Sequence, residues 1–168
     1  VTQNRERIYI IGFKDRTLDF KFPNIPDLKP KLKDILEIDV DNKYTLTNER
    51  WKHLQEFRKR KGKHGFGYEI PDLEGYSRTL LAIYNDEDIL INQEGKNPRK
   101  LTPRECARLQ GFPDSFKIPV SDNNAYHQFG NSVTVPIIKY LAKEIVRTLN
   151  EKPKRNESYT IQKNMMNY

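Results

Sequence analysis

The residues with the clearest chemical potential stand just before a helical pattern near the C-terminus. Gly130-Asn131-Ser132-Val133 precedes a segment whose apolar residues recur at helical spacing, so a helix is predicted to begin near 134–136. Free backbone N–H groups at a helix start favour an anion, Asn131 and Ser132 can donate hydrogen bonds, and Gly130 permits close backbone approach. These residues fit an anion site, and they fit equally a glycine-led turn with Asn and Ser as caps.

A second candidate is the densest basic run of the chain, which follows a predicted helix. Trp51, Leu54 and Phe57 recur every three residues and predict about three helical turns, with Thr47 as N-cap. The helix runs into Arg58, Lys59, Arg60, Lys61 and Lys63, close to the aromatic residues Phe66 and Tyr68. Such a run can neutralise phosphates of a nucleic acid, or it can be a solvated helix end.

Cys106 is the single cysteine, and its setting predicts packing rather than chemistry. It follows Thr102-Pro103-Arg104-Glu105, a capping box with proline at the first helical position, and Gly111 can end that short helix. A buried position inside a capped helix suits a small hydrophobe better than a reactive thiol. One cysteine and three scattered histidines also offer no disulfide and no zinc finger, so no metal is expected.

Length and charge narrow the class of protein. The 168 residues fit one domain or two small ones, and the net charge of +7 suits a polyanionic partner such as a nucleic acid. No apolar run approaches the roughly 18 residues of a membrane span, and no leader-like segment opens the chain, so we expect a cytoplasmic protein. A membrane partner is not expected.

Several further elements are predicted around these residues. The run from Arg7 to Phe13 reads as a buried strand, and 14–45 reads as irregular with one helical turn around Leu32–Leu36. Two more strand-like runs are 79–84 and 89–91, and a long amphipathic helix covers 137–149, followed by a polar tail. A chain that opens on a core strand is expected to be part of a larger assembly.

Three stretches together resemble the C-terminal third of the DNA cytosine-5 methyltransferase family. Gln3-Asn4-Arg5-Glu6-Arg7 is similar to its Gln-x-Arg-x-Arg motif, 99–114 (RKLTPRECARLQGFPD) to its penultimate motif, and 125–133 (AYHQFGNSV) to its last. The family's donor-binding glycine motif, Pro-Cys nucleophile and Glu-Asn-Val motif have no counterpart here. The resemblance therefore implies a chain that is inactive alone and completed by another chain, bacterial or phage-type and intracellular.

The resemblance also implies roles for individual residues. Cytosine methylation develops negative charge at O2 of the base, and Arg7 is the candidate cation beside it, while Arg5 is expected to brace the catalytic region. The Gly130–Val133 motif would contact the methionine carboxylate of S-adenosylmethionine. Two ordinary arginines at a strand end would be the alternative if the other motifs were absent.

The implied architecture is α/β. Residues 1–13 and 99–150 would complete a partial doubly wound, Rossmann-like methyltransferase domain, 14–98 would form a small, mostly β target recognition domain, and 151–168 a polar tail. In the recognition domain, Arg78, Thr79 and Leu80 are the expected contacts to double-stranded DNA, together with the basic run, since arginine is the usual bidentate partner of guanine.

Three readings of the whole chain remain open from the sequence. The preferred one is the natural second subunit of a split restriction-modification methyltransferase, or the second part of a broken or truncated one. The others are a non-catalytic DNA-binding module and an inactive remnant. The apolar faces of the first strand and the long helix favour a partner, because a module acting alone would leave them uncovered.

Overall fold

The computed structural model describes residues 1–15, 17–26, 30–61, 67–82 and 87–151. In these ranges two short 3-10 helices, Leu32–Ile35 and Asn42–Tyr44, accompany four α-helices and two β-strands. The latter are, in chain order, α1 (Asn48–Lys61), β1 (Leu90–Gln93), β2 (Lys96–Lys100), α2 (Pro103–Leu109), α3 (Asp122–Asn131) and α4 (Val135–Asn150). No helix in the described part of the chain is both long enough and apolar enough to cross a bilayer.

The helix starts follow the capping signals in the sequence. At α1 the Thr47 hydroxyl accepts the N–H of Arg50 at 3.2 Å, which confirms the predicted cap. At α2 the Thr102 hydroxyl accepts the N–H of Glu105, the Glu105 carboxylate reaches back to the N–H of Thr102, and the capping box is confirmed. Gly111 follows α2 with φ of 81°, the left-handed conformation expected of a terminating glycine.

The one sheet within the described ranges is an antiparallel hairpin of β1 and β2. Leu90 pairs with Lys100 and Ile91 with Arg99, and the connecting turn contains Gly95 at φ 66°. The predicted strand at 89–91 is thus confirmed as β1. Its partner β2 was not predicted, because the charged and proline-containing sequence KNPRK carries little strand signal.

Two predicted strands are wrong. Residues 7–13 form no strand, and Ile8 and Ile10 are each 91% exposed, because no described segment pairs with them or covers them. Residues 79–82 are irregular as well, while 83 and 84 lie outside the described residues. An apolar, β-branched run becomes a strand only where neighbouring backbone satisfies its hydrogen bonds.

The segment predicted as mostly β is not so in its described part. Between 14 and 98 the longest element is the 14-residue helix α1, against the short β1 and the first residues of β2. The core that this segment shares with the C-terminal helices is apolar and buried, and it includes Leu32, Ile89, Ile91, Leu101, Leu109, Ala125 and Tyr126. Residues of the segment 14–98 and residues of 99–150 therefore pack into the same core.

The long predicted helix is confirmed as α4, but its apolar stripe is largely uncovered. Only Leu141 and Thr148 are buried, whereas Val146 is 56% and Leu149 58% exposed. These exposed apolar residues leave an apolar surface along α4.

Candidate functional site

The three sequence motifs meet at the side chains of Gln3 and Arg5, which also hold the backbone of Leu80. The side-chain oxygen of Gln3 accepts the Leu80 N–H at 3.0 Å, and the Gln3 amide nitrogen donates to the carbonyl of Leu109 and to Oε1 of Gln110, both at 3.1 Å. Gln110 in turn donates to the carbonyl of Phe129 at 2.7 Å. Buried and hydrogen-bonded side-chain amides of this kind fix the relative positions of the segments they join.

Arg5 makes the second half of this network. Its Nη1 donates to the Leu80 carbonyl, and its Nη2 donates to the carbonyls of Gly130 and Ser132, each at 2.9 Å. Desolvation by burial lowers the pKa of Arg5, and the nearby positive charge of Arg7 lowers it further, but a guanidinium stays protonated. Through these donors Arg5 joins the backbone at 80 to the backbone at 130 and 132, and its role as a brace of the catalytic region stays a prediction.

The Gly130–Val133 motif occupies the end of α3 and the short link to α4. A Cβ added to Gly130 would lie 2.1 Å from the Leu81 carbonyl oxygen, so this glycine allows the 81–82 backbone to pass close by. The Ser132 hydroxyl donates to the Phe129 carbonyl at 2.8 Å, and its expected hydrogen bond to a ligand stays a prediction. Asn131 and Val133 are exposed.

The start of α4 fits an anionic group. Its N-cap Thr134 makes no side-chain capping hydrogen bond, and Pro136 has no N–H to donate. The N–H of Val135 donates to the Gln110 carbonyl at 2.9 Å, and a Cβ on Gly111 would stand 2.4 Å from the Pro136 ring, so α2 fixes where α4 begins. Because Val135 and Pro136 offer no free N–H, the expected contact to the carboxylate of an amino-acid-like ligand depends on the dipole of this 16-residue helix and on the exposed Asn131 amide, and it stays a prediction.

Arg7 points away from these contacts. Its side chain is exposed, and its Nη1 donates to the carbonyl of the preceding residue Glu6 at 2.5 Å. Among the described residues the structure brings no partner for its charge, and it leaves the guanidinium accessible. Its role beside a cytosine remains a prediction.

Arg78 lines a polar cleft with accessible space of about 700 Å³. Its Nη1 donates to the Gly67 carbonyl at 2.6 Å, while the Glu69 carboxylate accepts its backbone N–H at 2.9 Å and lies 3.6 Å from Nε. The other lining residues are Gln3, Asn4, Tyr76 and Ser77. The cleft thus offers hydrogen-bond donors and acceptors, the guanidinium of Arg78 and the carboxylate of Glu69.

The two residues after Arg78 differ in what they can contact. The exposed Thr79 hydroxyl donates to the Asn4 carbonyl at 2.5 Å, and it can still accept a hydrogen bond. Leu80 is 1% exposed, so the prediction that it contacts DNA is wrong: its side chain belongs to the core and its backbone is held by Gln3 and Arg5.

Part of the basic run is displayed on the surface of α1. The Arg58 guanidinium stacks over the Tyr68 ring at 4.8 Å, and that ring also contacts Trp51 at 5.0 Å. Lys59 and Arg60 are exposed. The side chain of Lys61 and all of Lys63 and Phe66 lie outside the described residues.

The sequence did not predict the buried ion pair between Arg99 and Glu105. Arg99 forms a two-point ion pair with Glu105, Nη1 to Oε2 and Nη2 to Oε1, both 2.8 Å long and almost fully buried. The same carboxylate accepts the N–H groups of Thr102 and Glu37, which ties the exit of the first 3-10 helix to α2. The capping box predicted only the contact with Thr102, and the missed signal was an arginine six positions before the capping glutamate.

Comparison with known proteins gives the family. Residues 1–147 match the family described as C-5 cytosine-specific DNA methylase. The chain therefore belongs to the C-5 cytosine-specific DNA methylase family, and the resemblance noted in its three motifs is confirmed at the level of the family.

Its relatives include Type II methyltransferases of bacteria. M.NlaX of Neisseria lactamica is 48% identical over 158 residues, which cover 89% of this chain and 50% of that protein. M.SsoII of Shigella sonnei is 49% identical over 163 residues, covering 89% and 42%. The chain spans about half the length, or less, of the curated relatives it matches.

Solved structures show the fold. The Dnmt2 methyltransferase of S. pombe superposes with a TM-score of 0.57 at 21% identity, covering 73% of this chain and 43% of that one. The Entamoeba histolytica methyltransferase EhMeth gives 0.56 at 18% identity, covering 78% and 46%. The chain thus shares the α/β fold of these methyltransferases.

Proposed function

We propose that this chain is the C-terminal portion of a DNA cytosine-5 methyltransferase of the restriction-modification type. It supplies target recognition on double-stranded DNA and part of the cytosine and S-adenosylmethionine sites, in the cytoplasm of a bacterium. A complementary polypeptide supplies the donor-binding glycine motif and the Pro-Cys nucleophile. Its bacterial relatives are named Type II methyltransferases, which supports this reading.

The observation that carries the proposal is the anchoring of Leu80. Its N–H is held by Gln3 and its carbonyl by Arg5, which also holds the Gly130 and Ser132 carbonyls. The DNA-recognition candidates Arg78 and Thr79 therefore sit in a fixed position relative to the donor motif. A methyltransferase needs this arrangement, because a base turned out of the helix must meet the methyl donor in a defined geometry.

The remaining chemistry divides between this chain and its complement. Arg7 is accessible and has no ion-pair partner among the described residues. It would approach O2 of the cytosine, where negative charge grows during attack on the ring. Asn131 and the start of α4 would hold the carboxylate of S-adenosylmethionine, which supplies the methyl group when bound. Cys106 is fully buried inside α2, which supports a nucleophile from the complement.

The docking surface for that complement is proposed to include the uncovered apolar residues. Ile8 and Ile10 in the first segment and Val146 and Leu149 on α4 are far more exposed than apolar residues of a self-sufficient domain need to be. A second polypeptide that covers them would remove this surface from water.

The test is methyl transfer from labelled S-adenosylmethionine to mixed-sequence double-stranded DNA. This chain is assayed alone and after co-expression with a chain that carries the earlier family motifs, here the N-terminal part of M.NlaX. Activity in the mixture alone supports the proposal, and activity of the isolated chain would overturn the assignment of the nucleophile. Binding of DNA by the mixture without transfer would instead favour a recognition module.

Arg7→Ala gives the sharper reading of the mechanism. It should lower the turnover of the assembled enzyme by about 10²-fold or more while DNA affinity changes little, as removal of a transition-state donor does. Arg60→Ala is the contrasting variant, because loss of this proposed phosphate contact should weaken DNA binding and leave turnover at saturating DNA unchanged. Equal losses of turnover and of DNA affinity would assign Arg7 to binding rather than to catalysis.

A further inference from the structure

Arg78 is held from two sides before any ligand arrives. The Gly67 carbonyl accepts from its Nη1, and the Glu69 carboxylate lies beside its Nε and accepts its backbone N–H. Hydrogen bonds among the described residues leave Nη2 unused, and the side chain is 37% exposed in the polar cleft. The guanidinium is thus oriented and accessible at the same time.

Glu69 is itself fixed by the strand that follows. Its N–H donates to the Asp88 carbonyl at 2.6 Å, and its carbonyl accepts the N–H of Leu90, the first residue of β1, at 2.8 Å. Leu90 is completely buried. The backbone of Glu69, whose carboxylate holds Arg78, is therefore fixed against the core.

We propose that Glu69 is a positioning residue that holds Arg78 in the orientation in which it hydrogen-bonds one guanine of the DNA target. The inference rests on the proposed function, since it takes Arg78 as a base contact. An arginine that is held in one rotamer loses less conformational entropy when it binds. Each Nη carries two N–H groups, so the second N–H of Nη1 and one of Nη2 are left to match O6 and N7 of guanine.

The surrounding charges favour a base edge over a phosphate as the ligand of Arg78. The carboxylates of Glu69 and Asp88 lie near it, and Oδ2 of Asp88 is buried with no hydrogen-bond partner in the described part of the chain. Two negative charges offset the attraction of a cation for a phosphate, whereas they leave its directional hydrogen bonds intact. The exposed basic residues Lys59 and Arg60 have no such neighbours among the contacts described and suit phosphates better.

The test measures base preference position by position. The co-expressed assembly selects from a library of DNA duplexes with eight randomised base pairs, and the selected duplexes are sequenced. The variants are Arg78→Ala, Glu69→Gln and the double substitution. Glu74→Gln is the matched control, because Glu74 lies on the same segment but pairs with Lys31 and Lys33 at the surface.

The expected result is a loss confined to one position of the selected sequence. Arg78→Ala should lower the preference for guanine there by about 5- to 150-fold, the range of one bidentate contact. Glu69→Gln should lower the preference at that position by about 3- to 10-fold, the double variant should be no worse than Arg78→Ala, and Glu74→Gln should leave it unchanged.

Three outcomes would overturn the inference, and they are distinguishable from failure of the proposed function. Full base preference in Glu69→Gln, additive losses in the double variant, or a loss spread evenly over all positions would each remove Glu69 as a positioning residue of Arg78. If Arg78→Ala itself leaves the selected sequence unchanged, or if the assembly selects no sequence at all, the recognition role in the proposed function fails first.

Discussion

Replacing Arg99 by methionine should destabilise the protein far more than replacing any surface arginine. The Glu105 carboxylate accepts four hydrogen bonds, two from Arg99 and one each from the N–H groups of Thr102 and Glu37. Arg99→Met keeps the apolar stem but removes both charge-assisted bonds, which leaves a carboxylate with no solvent exposure and no cation. Breaking one side of a buried ion pair costs about 3–5 kcal/mol.

For a chain of this length, each kcal/mol shifts Tm by about 2–4 °C, so the expected fall is about 6–20 °C. The assay is thermal unfolding of the full chain followed by far-ultraviolet circular dichroism at neutral pH. Arg108→Met is the control, because Arg108 lies on α2, the helix that carries Glu105. It pairs with Asp114, whose carboxylate is 64% exposed, and such pairs contribute about 1 kcal/mol or less. A Tm for Arg99→Met equal to that of the control would refute the reasoning.

Three further predictions follow from the packing, charge and surface of the chain. Gly130→Ala should cost about 1–3 kcal/mol or more in unfolding measurements, because its Cβ would meet the Leu81 oxygen at 2.1 Å, whereas Gly12→Ala, with open space around it, should be nearly neutral. Asp88→Asn should raise Tm at neutral pH, since burial raises the pKa of this carboxyl and makes its ionised form unfavourable. Val146→Glu should change the stability of the isolated chain by about 0.5 kcal/mol or less, yet it should weaken co-purification with the complementary chain.

The sign of the Asp88 effect can be checked by titration. A carboxyl with a raised pKa in the folded state binds more protons than in the unfolded state, so its contribution to stability falls as the pH rises from 3.8 through the folded value. The advantage of Asp88→Asn in Tm should therefore shrink as the pH is lowered towards that range. A Tm advantage of Asp88→Asn that grows at acidic pH would contradict this account. The prediction for Gly130 fails if Gly130→Ala leaves Tm unchanged. The prediction for Val146 fails if Val146→Glu co-purifies with the complementary chain as well as the unchanged protein does.

Local signals in the sequence predicted the parts of the fold that depend on local physics. The capping box at Thr102, the terminating Gly111 and the long helix α4 are all confirmed. Helix α3 was not predicted, because only its end was interpreted, with 130–133 as an anion site or a turn before the next helix, and its polar first turn carries no clear apolar stripe. The strand predicted at 7–13 failed because strand formation depends on partners that a local pattern does not contain.

The candidate site divides in the same way. Gln3 and Arg5 were recognisable as motif residues, but most of their hydrogen bonds go to backbone groups of distant segments. Leu80 and Gly130, for example, lie 75 and 125 positions from Arg5. Every residue has a backbone carbonyl, so no residue type marks the acceptor. This is why Leu80 was interpreted as a DNA contact from its neighbours in sequence, while the structure makes it the anchor point.

The anchoring of Leu80 through its main chain has a consequence for how specificity can change. Gln3 and Arg5 grip peptide groups, and every amino acid except proline offers both of them. These hydrogen bonds therefore do not restrict the residue types at 78 and 79. At 80 the side chain needs only to be apolar and to fill the core. The corresponding segments of relatives could therefore replace 78–80 without any change at Gln3 and Arg5, so the residues proposed to contact DNA can vary while the residues that hold them stay the same.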